Sequence, residues 1–455
     1  MDAIHVPVVI VGAGGTGLSA ALAAADLGAE VLVIERDPTP LGSTAMSTGL
    51  IPAAGTPEQA QEGIDDDPER FTRDILAKTK GATDAAMARH IAGESAETVA
   101  WLRDVHQVPL ALIGGFLYPG HSARRMYGTP NRTGGELMAA LESAAERAGV
   151  MVLTGAVARD LQRDGDRVTG LTVERPDGTV ETITCDALIL ACSGFGGAAD
   201  LVARHIPEMA EAVFHGHSGN KGDALRWGEE IGAAMADLGA YQGHGGLAAG
   251  HGVPILWPLI MEGGFQVNVH GERFSNEASG YSEQAARVNA QPGHVAWSIF
   301  DQRLHDLMLA FDDYQDALRA GAVVQAGSVP DLAERLRLPA DALTATVETV
   351  AALTRGEGTD AFGRDFTGKP ELAGPWYAAK VTGALFHTQG GLVVDQDARV
   401  LKADGAPFPN LFAGGGAARG VSGPGADGYL AGNGLLAATT LGKLAGRAAA
   451  RLAAG

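Results

Sequence analysis

Val8-Val9-Ile10-Val11, then Gly12-Ala13-Gly14-Gly15-Thr16-Gly17, then an alanine-rich helical pattern, then Val31-Leu32-Val33-Ile34-Glu35 decide the fold. An apolar run enters a glycine turn, a helix follows, and a second apolar run ends on an acid. This is the pattern of a βαβ unit that binds an adenine dinucleotide. Gly12 allows the tight turn, Gly14 lets the backbone approach a pyrophosphate, and Gly17 lets helix and strand pack closely. The helix N-terminus offers unpaired N–H groups to phosphate. Glu35, 21 residues after Gly14, is placed to accept hydrogen bonds from a ribose diol. A glycine-rich structural turn is the rival reading.

The rest of the composition narrows the class. With 455 residues, two domains are expected rather than one, and 46% apolar residues supply a large core. The longest apolar stretch, 435–452, is interrupted by Lys443, Arg447 and Arg451, so no membrane span is expected. The first strand begins too early to leave room for a signal peptide, and a cytoplasmic location is the expectation. A net charge of −20 argues against nucleic acid and anionic membranes as partners. Cys185 and Cys192 are too few for an iron–sulfur cluster or structural zinc, no metal site is expected, and both read as buried inert thiols. Sixty-four glycines without a fixed period suit a backbone that lies against a large ligand.

Further along, residues 57–80 read as a charged surface helix pair, and 83–105 and 133–149 as helices. Residues 150–191 alternate like strands, with a hairpin turn at Pro176-Asp177-Gly178. Residues 241–385 change texture: three of the five tryptophans fall there, and helical patterns cover 283–320 and 329–354. The ends of the chain therefore form one domain (1–240 and 386–455) and the middle an inserted one (241–385). The fold class is α/β: a Rossmann-like nucleotide-binding domain with an inserted α+β capping domain for substrate.

The motifs in order resemble the fumarate reductase/succinate dehydrogenase flavoproteins and their relatives, the 3-ketosteroid Δ1-dehydrogenases. Ala191-Cys192-Ser193-Gly194-Phe195-Gly196-Gly197 is similar to their A-T-G-G-F-G-G stretch, Gly222-Asp223 to their G-D-G turn, and Asn410-Leu411-Phe412-Ala413-Gly414-Gly415 and Gly432-Asn433-Gly434 to segments closing over the flavin. The resemblance implies FAD, held non-covalently or through a residue the motifs do not identify, and a mobile cap over it. It implies cofactor contacts at Gly12, Gly14, Gly15, Thr16, Gly17, Glu35 and Arg36. Others are implied at Ser43, Thr44, Ser47, Thr48 and Gly49, at Ala191, Gly194 and Asp223, and at Gly415, Asn433, Gly434 and Leu435.

Phe386-His387-Thr388-Gln389-Gly390-Gly391 resembles the fumarate reductase H-H-T-M-G-G, which places His387 on substrate. Gln242-Gly243-His244 resembles their Q-A-H and makes His244 a second substrate-side candidate. The catalytic arginine expected after Arg273-Phe274-Ser275-Asn276-Glu277 is replaced by Tyr281, as in the ketosteroid dehydrogenases. The carboxylate-clamping arginine expected before Leu430-Ala431-Gly432-Asn433 is Tyr429. Val421 stands about where the ketosteroid enzymes carry another tyrosine, which puts a steroid in doubt.

Arginine forks suit a dicarboxylate, whereas a tyrosine hydroxyl suits a neutral carbonyl. The reading is therefore a dehydrogenase that forms a C=C bond beside a ketone. Tyr281 is the base and Tyr429 the donor to the carbonyl oxygen, roles that could be exchanged, and hydride passes to the flavin. The substrate is a 3-ketosteroid, a smaller cyclic ketone or a ketoacid. The electron acceptor is left open among quinone, carrier and oxygen. Alternatives are an enoate or enone reductase fed by a partner, and a non-catalytic FAD relay subunit. Arg124 and Arg125 read as solvated or phosphate-facing, with a carboxylate clamp as the lesser reading.

Overall fold

The computed structural model describes residues 4–115 and 117–455. The chain divides into two compact units. One comprises residues 1–205, 216–241 and 387–455, the other 206–215 and 242–386.

The first unit is built on a six-stranded sheet. Val8–Val11 lies between Ala187–Leu190 and Val31–Ile34, all parallel, with Ile10 opposite Ile189 and Val33. Met151–Leu153 extends one side, and Pro407–Ala413 then Arg399–Leu401 the other. The central strands are apolar at every position because helices cover a parallel sheet on both faces, which leaves no polar side. Helix Gly15–Ala25 and the long C-terminal helix Asn433–Ala453 pack through small residues. A Cβ at Gly446 would stand 2.1 Å from the Ala20 carbonyl oxygen. Lys443 is fully buried on that C-terminal helix and pairs with Glu94 and Glu97 at 3.0 and 2.9 Å. No described helix is long and apolar enough to cross a membrane.

The region read as alternating strands holds one strand more than the sequence pattern showed. Val157–Asp164 pairs with Arg167–Glu174, and charged side chains on its exposed positions disguise it. The acidic run at 65–67 is only partly a surface feature. The Asp66 side chain is fully buried, where it receives two hydrogen bonds from Arg125.

The second unit has its own sheet and core. Ala296–Asp301 pairs antiparallel with Phe265–Val267 and with the start of the strand Trp376–Thr388, which also takes Val323–Ala326. The helical pattern read over 283–320 is broken here. Ala296–Asp301 is a strand buried at all six positions, and a short, wholly apolar run carries no period to tell strand from helix. Helices Tyr281–Asn289, Gln302–Met308 and Asp312–Arg319 flank it. Residues 206–215, assigned by sequence to the nucleotide domain, cluster with this unit because Val213 and Phe214 pair in parallel with Ala384 and Leu385.

Candidate active site

The glycine turn of the first unit has the geometry of a phosphate cradle. Gly12 sits at φ +104°, and a Cβ there would stand 2.5 Å from the Ala191 carbonyl oxygen. At Gly17 a Cβ would be 1.8 Å from the Gly12 oxygen. Gly14 is different: its Cβ would meet only Thr44 Oγ1, at 3.9 Å. The open face at Gly14, where helix Gly15–Ala25 begins, is the approach a pyrophosphate needs. Thr44 Oγ1 accepts the Gly15 N–H at 3.1 Å and fixes the loop edge.

Glu35 is buried and already holds the turn. Its carboxylate accepts the Ala13 N–H at 2.8 Å and the Asp37 N–H at 2.9 Å. One lone pair per oxygen remains for a ribose diol. Arg36 pairs with Asp223 at 2.6 Å, so these two residues fix each other. Ser43 Oγ accepts from Asn220 at 2.7 Å, and Ser47 bonds the Thr44 carbonyl at 2.7 Å. Gly49 donates to Ser47 Oγ, while Thr48 is exposed. At Gly415, φ is +58° and a Cβ would collide with Thr16 Oγ1 at 2.2 Å. At Gly194 it would collide with Thr388 Oγ1 at 2.0 Å. Gly432, at φ +84°, opens the C-terminal helix, where the Asn433 N–H donates to the Leu430 carbonyl at 3.1 Å. Asn433 is buried with Oδ1 meeting no partner among the described residues. Close backbone approaches, an open phosphate face, a helix start and an orphaned polar atom fit FAD.

The same unit brings His387 and Tyr429 together. Their rings meet edge-on, 5.7 Å between centroids. His387 packs on the helix start, where a Cβ at Gly434 would be 3.0 Å from its Cε1. Asn433 Nδ2 reaches Ser422 Oγ at 3.4 Å, and Ser422 donates to Gln389 Oε1 at 3.0 Å. Gln389 Nε2 then donates to His387 Nδ1 at 3.0 Å. The tautomer assigned from this network places the ring proton on Nε2. The Thr388 carbonyl lies 3.5 Å from the same Nδ1, too long to compete with the amide. Burial lowers the His387 pKa to about 4, against a small upward pull from that carbonyl, so the ring is a neutral N–H donor at pH 7. Burial raises the Tyr429 pKa, although its oxygen accepts the N–H groups of Gly432 and Gly434. Tyr429 therefore keeps its proton and is a donor.

His244 and Tyr281 meet in the second unit, ring centroids 5.4 Å apart. His244 lies on the strand Tyr241–Ala248, and its Nδ1 accepts the Gly246 N–H at 3.1 Å, which leaves the proton on Nε2. Burial, then the neighbouring His215, lowers its pKa to about 3. Tyr281 heads the helix Tyr281–Asn289 after Gly280, whose φ of +152° only glycine adopts without strain. The turn before it is clamped from below. Glu277 is fully buried between Arg273 at 2.9 Å and Arg364 at 3.0 Å. Arg364 lies 87 residues away in sequence, where no motif pointed to it.

One expectation changes. Arg125 is neither solvated nor a substrate clamp. It is fully buried, bonded to Asp66 through two nitrogens, to Asp74 at 2.6 Å and to His121 Nδ1 at 3.1 Å. Gln389 and Ser422 were missed as orienting residues, although Gln389 stands inside the quoted His387 motif.

A family described as "FAD binding domain" matches residues 7–435. The chain belongs to this family of flavoproteins. It is 29% identical over 451 residues to an NADH:fumarate oxidoreductase of Klebsiella pneumoniae, covering 98% of this chain and 48% of that protein. It thus spans about half the length of that relative. It is 30% identical over 359 residues to a 4-oxocyclohex-2-ene-1-carboxylate 5-dehydrogenase of Sinomonas cyclohexanicum, covering 70% of this chain and 60% of that one. The open form of a flavocytochrome c3 fumarate reductase superposes with a TM-score of 0.85 at 27% identity, covering 99% of this chain and 79% of that one. FAD is the cofactor, the fold is the FAD-binding domain with its capping domain, and the chemistry is oxidoreduction of CH–CH groups.

Proposed function

We propose that this flavoprotein transfers hydride at a C=C bond conjugated to a carbonyl, working as an enone or enoate reductase supplied with electrons by a partner. The observation that carries the reading is the pair of neutral donors, His387 Nε2–H and the Tyr429 hydroxyl, at the start of the C-terminal helix. Two such donors polarise a carbonyl oxygen and stabilise enolate charge as it develops. The reductive direction draws its support from the fumarate oxidoreductase and fumarate reductase relatives.

Bound FAD supplies the hydride in this direction. His387 and Tyr429 bind and orient the carbonyl. The family resemblance gives Tyr281 the role of delivering the proton to the α-carbon and His244, held neutral, that of a hydrogen-bond donor to substrate. Tyrosines at 281 and 429, where the resemblance expects arginines, remove the bidentate charge pairs that a dicarboxylate needs.

A second reading, the dehydrogenase that forms the same bond, rests on those tyrosines and on the Sinomonas relative. Every residue role is retained, with Tyr281 accepting the proton. Anaerobic stopped-flow separates the two readings. A saturated ketone that bleaches oxidised FAD supports the dehydrogenase, and an enone that reoxidises the reduced protein faster supports the reductase.

A further inference from the structure

Trp257 carries a buried indole N–H that meets no acceptor among the described residues. Its neighbours form an aromatic wall within the second unit. His244 stands edge-on to it with centroids 5.7 Å apart, and Tyr281 lies 6.3 Å away. Phe386 stacks on His244 at 5.3 Å and 14°, and His215 packs on Phe386 at 4.9 Å. His244 already receives the Gly246 N–H on Nδ1, so its Nε2 is also a donor.

A buried donor without a partner is a standing cost, and interiors seldom keep one. Aromatic faces favour flat rings. Burial keeps His244 and His215 neutral, so this wall offers an anion no histidine charge. The complement is a neutral planar ring with a hydrogen-bond acceptor at its edge.

We propose that Trp257, with His244, Phe386 and Tyr281, is a specificity wall for a cyclic enone bearing a second carbonyl, to which the Trp257 N–H donates. The inference rests on the conjugated-carbonyl reading above and narrows it to ring substrates with a remote acceptor.

The test titrates oxidised holoenzyme with isophorone and with 4-oxoisophorone, two rings that differ by the second carbonyl, following the flavin absorbance. Wild-type protein is expected to bind 4-oxoisophorone roughly 3- to 10-fold more tightly, the worth of one neutral hydrogen bond. In Trp257→Phe that preference is expected to vanish. Equal affinities in the wild type, or a preference that survives in Trp257→Phe, would overturn the proposal. Turnover separates it from the reading it rests on. A Trp257-dependent preference with neither ring reduced nor desaturated leaves the wall standing and sinks the reaction. Reduction of both rings with no dependence on Trp257 does the reverse.

Discussion

Gln389 Nε2 lies 3.0 Å from His387 Nδ1, and this contact decides which face of the imidazole carries the proton. With Nδ1 occupied, Nε2–H is the donor, and burial keeps the ring neutral at pH 7. A neutral imidazole polarises a carbonyl without giving up its own proton. Replacing Gln389 by leucine frees the ring to turn and to exchange tautomers. We expect kcat/KM for an enone to fall by about ten- to a hundredfold, since small misplacements cost that much. The bound-FAD spectrum should be unchanged. Undiminished activity would show that Gln389 does not orient His387.

Tyr429→Phe removes the second donor while keeping the ring against His387. Loss of one oxyanion-type donor costs about a hundred- to a thousandfold in kcat. The expected signature is a large fall in kcat with FAD content intact. A change in KM alone would assign Tyr429 to binding only.

How far the sequence reads depends on how local each signal is. The βαβ unit, its glycines and Glu35 are contiguous, so turn, helix and cofactor class were legible. The roles proposed for His387 and Tyr429 rest on short motifs. Trp257 was not, because an unpaired N–H is a property of three-dimensional surroundings. The Glu277 clamp by Arg364 and the burial of Arg125 with Asp66 are long-range pairings that no period or spacing encodes. The strand Ala296–Asp301 was hidden because wholly buried runs lose their alternation.

The two kinds of glycine in the first turn give opposite outcomes. Gly17→Ala forces a Cβ to within 1.8 Å of the Gly12 oxygen, and overpacking of this kind costs about 1–3 kcal/mol of apoprotein stability. Gly14→Ala meets nothing closer than 3.9 Å within the protein. The apoprotein should keep its stability to within about 0.5 kcal/mol while FAD affinity falls. Apoprotein melting and FAD titration distinguish the two. Unchanged FAD affinity in Gly14→Ala would remove Gly14 from the pyrophosphate site.

Arg125 is the only described cation bonded to the buried Asp66. Arg125→Ala leaves that carboxylate uncompensated, a change that costs about 3–5 kcal/mol. Urea denaturation measures it. A loss below about 1 kcal/mol would show that Asp66 finds another partner or water.

Buried histidines make stability depend on pH. Burial lowers His244 to about 3 and His387 and His121 to about 4, from 6.5; the Arg125 cation adds to the effect at His121. As pH falls below about 6.5 the unfolded imidazoles take up protons and the folded ones do not. The unfolded chain binds more protons in that window, so stability rises with pH. The stability is fully present above the unfolded pKa and is lost progressively as pH falls toward about 4. Thermal melts between about pH 7 and pH 4.5 should show a falling Tm, with a smaller fall in His121→Gln. An equal fall in the variant would place the proton uptake elsewhere.

The most direct test of the central claim, that His387 and Tyr429 activate a conjugated carbonyl, is an anaerobic single-turnover measurement on FAD-reduced protein. A cyclic enone and fumarate are each mixed with wild type and Tyr429→Phe, and flavin reoxidation is followed. The account predicts faster reoxidation by the enone than by fumarate, slowed about a hundredfold or more in Tyr429→Phe. Faster reoxidation by fumarate, at a rate that Tyr429→Phe leaves unchanged, would contradict it.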